Sequence, residues 1–205
     1  GSRGLGDVYK RQPEQSHGCA SLIINESFFK ESLEMRRLLL RGMDALITNV
    51  PGYCVCVTTA DCVPVLLYDK KQHVVAAVHA GWKGTVKHIV SHVMDHLNQK
   101  FGTQGEDVVA CIGPSISLES FEVGDEVYDA FKESGFDMSL ISMKKKETGK
   151  YHIDLWEANR IELLNAGVPA EQIEVAGICT YIHHDEFFSA RRLLSLIHIS
   201  EPTRP

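Results

Sequence analysis

The spacing of apolar positions changes several times along the chain, and each change marks an element. CASLIIN (19–25) is an apolar run of strand length. FKESLEMRRLLLRG (29–42) sets leucines and charges at helical spacing and stops at a glycine, which predicts a helix. DALITN, YCVCVTT and VPVLLYD follow, rich in β-branched residues, with Pro51-Gly52 marking a turn. DKKQ turns the chain into HVVAAVHA, so 63–79 reads as a hairpin. Gly81 and Gly84 lead into an amphipathic helix over 85–102, with Val86, Ile89, Val90, Val93 and Leu97 on its buried side and a terminal glycine. DVVACIG is a buried strand, VGDEVYDAFKESG a helix stopping at Gly135, and 153–167 a helix ending at Gly167 with Pro169 beyond. QIEVAGICTY is a last strand. Hairpins mixed with intervening helices predict an α/β (α+β) fold: one domain with a mixed β-sheet layered with helices.

Bulk properties narrow the function. With 205 residues and 44% hydrophobic content, the chain can bury one sizeable core. A formal charge of -6 without a Lys/Arg stripe argues against a nucleic-acid surface, and Lys144–Lys146 reads as a solvated loop. No apolar run has the length of a membrane span, and no secretory signal is visible. Cys54, Cys56, Cys62 and Cys111 lie in or beside strand-like runs and no CxxC pair occurs, which favours free thiols and a reducing, cytoplasmic setting. Two end segments stand apart: SRGLGDVYKRQ (2–12) and LSLIHISEPTR (194–204) read as translations of one sequencing adapter in opposite orientations. The expectation is therefore adapter at 1–12 and 194–205 around a domain, 13–193, cut at both ends.

Asp61-Cys62 interrupts a strand-forming run, and His79 ends the other arm of the hairpin just before AGWKG. A tight turn at 69–72 places the open ends of that hairpin side by side, so Cys62 and His79 can meet although seventeen residues apart. A thiolate and a neutral imidazole suit zinc, and a Cys/His pair is also the minimum for a thiol nucleophile; an inert core pair is the third reading.

Four motifs occur in order: TTADCVPVLLYD, VVAAVHAGWKGT, CIGPSI…FEVGDEV and CTY…EFFSARR. Together they resemble the laccase-domain or polyphenol-oxidase family, better described as zinc-dependent purine nucleoside phosphorylases with possible adenosine deaminase activity. Gln15-Ser16-His17-Gly18 matches that family's Q-x-H-G motif. The resemblance implies a zinc ion held by His17, Cys62 and His79, with a fourth position open as in catalytic sites. It implies that Asp61 orients a ligand or water or protonates a purine leaving group, with Cys62 and Lys83 in the catalytic set. Gln15, Lys83, Arg191 and Arg192 would meet substrate or phosphate, guanidinium groups being suited to a bidentate clamp. The implied partners are a purine nucleoside and phosphate, with no nucleic acid and no membrane, in a monomer.

This chain departs from the family pattern in three places. The region with an arginine and paired glycines ahead of Q-x-H-G is absent, as is the Gly-Arg after the paired arginines. Lys83 stands where HAGWRG is usual, keeping the charge and losing the fork. A bacterial branch linked to editing of peptidoglycan precursors offers a second reading, with Cys62 as nucleophile and His79 as its base. Copper is the weaker metal candidate, because a trinuclear oxidase cluster needs His-x-His pairs and the ten histidines contain none. His88, His92 and His96 recur every four residues, but the apolar face of their helix directs them to solvent. His183-His184 reads as an exposed pair, Cys111 and Cys179 as core residues, and Gly113-Pro114 and Gly124 as shapers of the backbone.

Overall fold

The computed structural model describes residues 9–11 and 15–197, with side chains from 15 to 193. Its strands are β1 (Tyr9–Arg11), β2 (Ser21–Ile23), β3 (Ala45–Thr48), β4 (Tyr53–Val55), β5 (Val63–Asp69), β6 (Val74–Ala80), β7 (Val108–Ile112), β8 (Glu122–Val123), β9 (Ser142–Lys144), β10 (Tyr151–Ile153) and β11 (Ile173–Val175). The helices are α1 (Glu26–Lys30), α2 (Leu33–Leu40), α3 (Trp82–Val86), α4 (Ile89–Phe101), α5 (Asp125–Glu133), α6 (Met138–Ile141), α7 (Leu155–Asn165) and α8 (Ala190–Ile197). Six strands form the main sheet in the order β11-β7-β5-β6-β3-β2, and β8-β10-β9 form a small second sheet. The mixed α/β architecture expected from the sequence is present: β5 pairs antiparallel with β6 and β7, while β2–β3 and β7–β11 pair in parallel.

The expected hairpin is β5–β6, with Val63 opposite Ala80 and Pro64 opposite His79. Along β5, Val63, Val65 and Leu67 are buried under the helices, whereas Leu66 is 51% and Tyr68 40% exposed on the opposite face. Ile89, Val90, Val93, Met94 and Leu97 of α4, with Leu155, Ala158 and Leu163 of α7, close the other side of that core. Burying such side chains is worth about 1.5–3 kcal/mol each and fixes the register of the hairpin on which the site is built.

Several elements differ from the sequence-based expectation, for local reasons. The helix expected over 29–42 is two helices, because Asn25 caps one through the Phe28 N–H and Ser32 caps the other through the Met35 N–H. The helix expected over 85–102 breaks at His88, which adopts a left-handed φ of 57°. That imidazole lies 2.5 Å from Oε1 of Glu162 through Nδ1 and 2.9 Å from the Ser134 carbonyl through Nε2, so it ties the break to α7 and the end of α5. His96 likewise bonds Ser21 through Nδ1; of the three stripe histidines only His92 is exposed. The strand expected over 172–181 is regular only at Ile173–Val175, after which the chain leaves the sheet edge.

Part of the segment expected to be adapter enters the description. Tyr9–Arg11 pairs in parallel with Tyr53–Val55, and α8 continues past residue 193 to Ile197. Residues 1–8, 12–14 and 198–205 lie outside the described residues.

Candidate metal centre

Three segments deliver one ligand atom each to a single point. Cys62 enters from the residue before β5, His79 sits near the end of β6 opposite Pro64, and His17 comes from the loop before β2. The ligating atoms of His17, Cys62 and His79 all lie within 4.8 Å of one another. The imidazoles of His17 and His79 meet edge to face, with centroids 4.9 Å apart. His79 is buried, Cys62 half-buried and His17 exposed, so the cluster opens to solvent on the His17 side.

Backbone conformation makes this approach feasible. Gly81 follows the hairpin by one residue, and a Cβ there would stand 2.9 Å from Sγ of Cys62 and 3.3 Å from the His17 ring. A Cβ on Gly84 would stand 2.9 Å from the Gly18 carbonyl, so both glycines of AGWKG serve close approach of the His17 loop. His17 and Asp61 both take left-handed φ values, 57° and 80°, which non-glycine residues hold only where surrounding contacts enforce them.

At His17 the enforcing group is Asp44, a fully buried carboxylate at the start of β3. Its oxygens accept the N–H groups of Ser16 (3.1 Å), His17 (2.9 Å) and Gly18 (2.7 Å) and the Ser16 hydroxyl (2.9 Å). The same carboxylate meets Nδ1 of His79 at 3.0 Å. One side chain therefore shapes the His17 loop and orients the second imidazole, leaving Nε2 of His79 as its ligating atom. Burial works against the charge on Asp44, but the bonds from His79, Gly18, Ser16 and His17 outweigh it and hold the carboxyl below its ordinary value. Burial, with the neighbouring His17, keeps His79 below the usual histidine range despite Asp44, which favours the neutral, metal-binding form.

Burial, and then the carboxylates of Asp61 and Asp44, push the Cys62 thiol up to about 11. Without a cation this cysteine is a neutral thiol near pH 7 and a poor nucleophile. A divalent ion at the same point reverses the balance, since it stabilises the thiolate against both carboxylates. Two imidazoles and one thiolate form a donor set that fits zinc, with one position left for a non-protein ligand.

Asp61 stands next to Cys62 in the chain but serves a different partner. Its Oδ1 accepts the Thr180 hydroxyl at 2.8 Å, and Oδ2 accepts the Ser189 hydroxyl at 2.9 Å and the Arg191 N–H at 2.7 Å. Both oxygens are thus engaged in anchoring the segment that carries CTY and EFFSARR. Gln15 makes three bonds to Thr58, with its Nε2 donating to the carbonyl and its Oε1 accepting from the N–H and hydroxyl, so it pins the His17 loop to the approach to β5. Lys83 is exposed in the first turn of α3, 5.6 Å from the Trp82 ring centroid. Arg191 lies over Phe121 and donates to the Glu122 carbonyl, whereas Arg192 lies over Tyr181. The two arginines border separate cavities and do not form one fork. Cys179 is buried and accepts the Ser117 N–H, while Cys111 is half-buried.

Sequence reasoning overlooked Asp44, which opens a strand-like run and looks there like an ordinary turn acid. Its importance arises from donors at residues 16–18 and 79, and no local pattern brings those together.

The fold and this site define a mixed α/β protein with a three-ligand centre able to hold a metal ion. The chain belongs to the multi-copper polyphenol oxidoreductase laccase family, whose model matches residues 7–196. It is 62% identical over 181 residues to a purine nucleoside phosphorylase of Bacteroides thetaiotaomicron, covering 88% of this chain and 67% of that one. It is 43% identical over 181 residues to adenosine deaminase RL5 of an unknown prokaryotic organism, with 88% of this chain and 69% of the relative covered. The crystal structure of Bacillus licheniformis hypothetical protein YfiH matches with a TM-score of 0.81 and 32% identity, over 92% of this chain and 70% of that one. The chain therefore spans about two thirds of the length of these relatives.

Proposed function

We propose that this protein is a zinc-dependent purine nucleoside phosphorylase acting on adenosine, inosine or guanosine, with its chemistry carried by residues 13–193. The observation that carries the reading is the convergence of His17, Cys62 and His79 with a solvent-facing side left open, in a chain 62% identical to a protein of that name. Bound zinc would supply Lewis acidity at the open position. In the reaction a phosphate oxygen forms a bond to C1′ as the bond from C1′ to the purine nitrogen breaks. The bonding pair leaves with the base, which takes up one proton.

The residues divide this work by position. Asp44 fixes the ring of His79 and the curvature of the His17 loop, so the ligand set is preorganised. Asp61 holds the 180–191 segment, and with it Arg191, against the start of β5, next to Cys62. Lys83 and Arg191 are the cations proposed to meet substrate or phosphate. Adenosine deamination is a second activity of the same centre, motivated by the relative named adenosine deaminase. A free-thiol mechanism on peptidoglycan precursors is disfavoured by a Cys62 thiol pushed up to about 11. Six free cysteines accord with work in the cytoplasm, and no helix among the described residues is long and apolar enough to cross a membrane. We take the working species to be a monomer.

The test is to incubate zinc-loaded protein with adenosine, inosine and guanosine, with and without phosphate, and follow base, ribose 1-phosphate and ammonia. Phosphate-dependent base release that disappears in Cys62→Ala supports the reading. Release of neither base nor ammonia from any of the three overturns it.

A further inference from the structure

A second polar cavity lies beside the segment that Asp61 anchors. A cavity of about 290 Å³ is bordered by two acids, Glu119 and Glu122, with Ser120, Lys145, His152, Tyr181 and Arg191. The small β8-β10-β9 sheet forms one wall and the segment anchored by Asp61 the other. His152 is 2% exposed. Its Nδ1 lies 2.9 Å from the Leu118 carbonyl, and a carbonyl only accepts, so Nδ1 carries the proton. Its Nε2 is buried with no hydrogen-bond partner and stands 3.7 Å from Oε2 of Glu122. An unpartnered buried imidazole nitrogen is unfavourable, so a group that supplies a partner there is stabilised.

The charges around this nitrogen indicate which group fits. The Glu122 carboxylate is met by Lys150 at 2.9 Å, which offsets its charge. Arg191 is held over Phe121 with Nη1 on the Glu122 carbonyl, and Lys145 is held by the Glu119 carbonyl at 3.0 Å. Two cationic heads are thus fixed by main-chain acceptors at the rim of one cavity, and each has further N–H groups. Inorganic phosphate near neutral pH offers both P–O⁻ acceptors for those N–H groups and a P–OH donor, so it meets the imidazole whether Nε2 accepts or donates.

We infer that this cavity is an oxyanion site for inorganic phosphate, with Arg191 and Lys145 as its cations and His152 as its buried anchor. The identity of the oxyanion rests on the phosphorolysis reading, while the site itself rests on the geometry. Asp61 links the two centres: it adjoins Cys62 in the chain and accepts the N–H of Arg191. The two centres therefore share one anchoring side chain.

The experiment is a phosphate titration of the whole chain, followed through the His152 ring signals by ¹H–¹⁵N NMR at constant ionic strength. A saturable shift is expected, retained in Cys62→Ser, weakened several-fold in Lys145→Ala and weakened roughly tenfold or more in Arg191→Ala, the scale of losing a charge-assisted contact. The absence of a saturable shift overturns the site. So does an equal shift with chloride, or an unchanged affinity in both cation variants. Should phosphate bind here while no nucleoside is cleaved, the site stands and the phosphorylase reading fails. If nucleosides are cleaved with the same phosphate saturation in Arg191→Ala, the phosphorylase reading stands and the site fails.

Discussion

Nδ1 of His79 lies 3.0 Å from Oδ1 of Asp44, and both side chains are buried. The same carboxylate receives three consecutive N–H groups from residues 16–18, so one acid couples the two histidines of the centre. Asp44→Asn puts an amide N–H₂ where only acceptors fit. Zinc affinity should fall about 10–100-fold, the usual scale for a group that orients a metal-bound imidazole, and a competitive chelator titration would measure it. Unchanged affinity would remove Asp44 from the account.

Gly81→Ala tests the close approach. A Cβ 2.9 Å from Sγ of Cys62 forces the thiol or the His17 ring to move, so metal binding should be lost with the far-ultraviolet circular dichroism retained. Gly84→Ala meets a backbone oxygen instead and should destabilise the fold by about 1–3 kcal/mol, read from urea unfolding. Full zinc occupancy in Gly81→Ala would contradict the geometry.

Asp61→Ala should loosen the C-terminal segment while leaving the sheet intact. Three donors, from Thr180, Ser189 and Arg191, lose a charged acceptor, a loss on the order of 3 kcal/mol concentrated in residues 176–192. Hydrogen exchange should accelerate there and remain slow in β5 and β6. Uniform acceleration across the sheet would show that Asp61 supports the whole fold.

The Cys62 thiol gives a pH dependence of defined sign. In the metal-free protein burial, with Asp61 and Asp44, raises it from 9.0 to about 11. A raised value favours the protonated form in the folded state, so the contribution is full below pH 9 and is lost as the pH rises towards 11. Urea unfolding at pH 8 and pH 11 should differ by roughly 2–3 kcal/mol from this group, and Cys62→Ser should remove that part of the difference. Equal pH dependence in both proteins would contradict the burial and charge argument.

Much of this was readable from residue order. The β5–β6 hairpin follows from two strand-like runs around DKKQ, and His17, Cys62 and His79 follow from residue type together with the family motifs. What was not readable depends on contacts distant in sequence. His88 continues a faultless helical period, yet Glu162 and Ser134 hold it in a left-handed break between α3 and α4. Asp61 is adjacent to Cys62, yet both of its oxygens accept bonds from residues more than a hundred positions away, which no local pattern shows. Arg191 and Arg192 are neighbours in the chain, yet one rests on Phe121 and the other on Tyr181.

X-ray absorption at the zinc edge tests the metal centre most directly. A shell of one sulfur near 2.3 Å, two imidazole nitrogens near 2.0–2.1 Å and one further light atom is the predicted result, with the sulfur absent in Cys62→Ser. A spectrum without sulfur in the wild-type protein, or with four protein donors closing the ion, would contradict the proposal of an open catalytic centre.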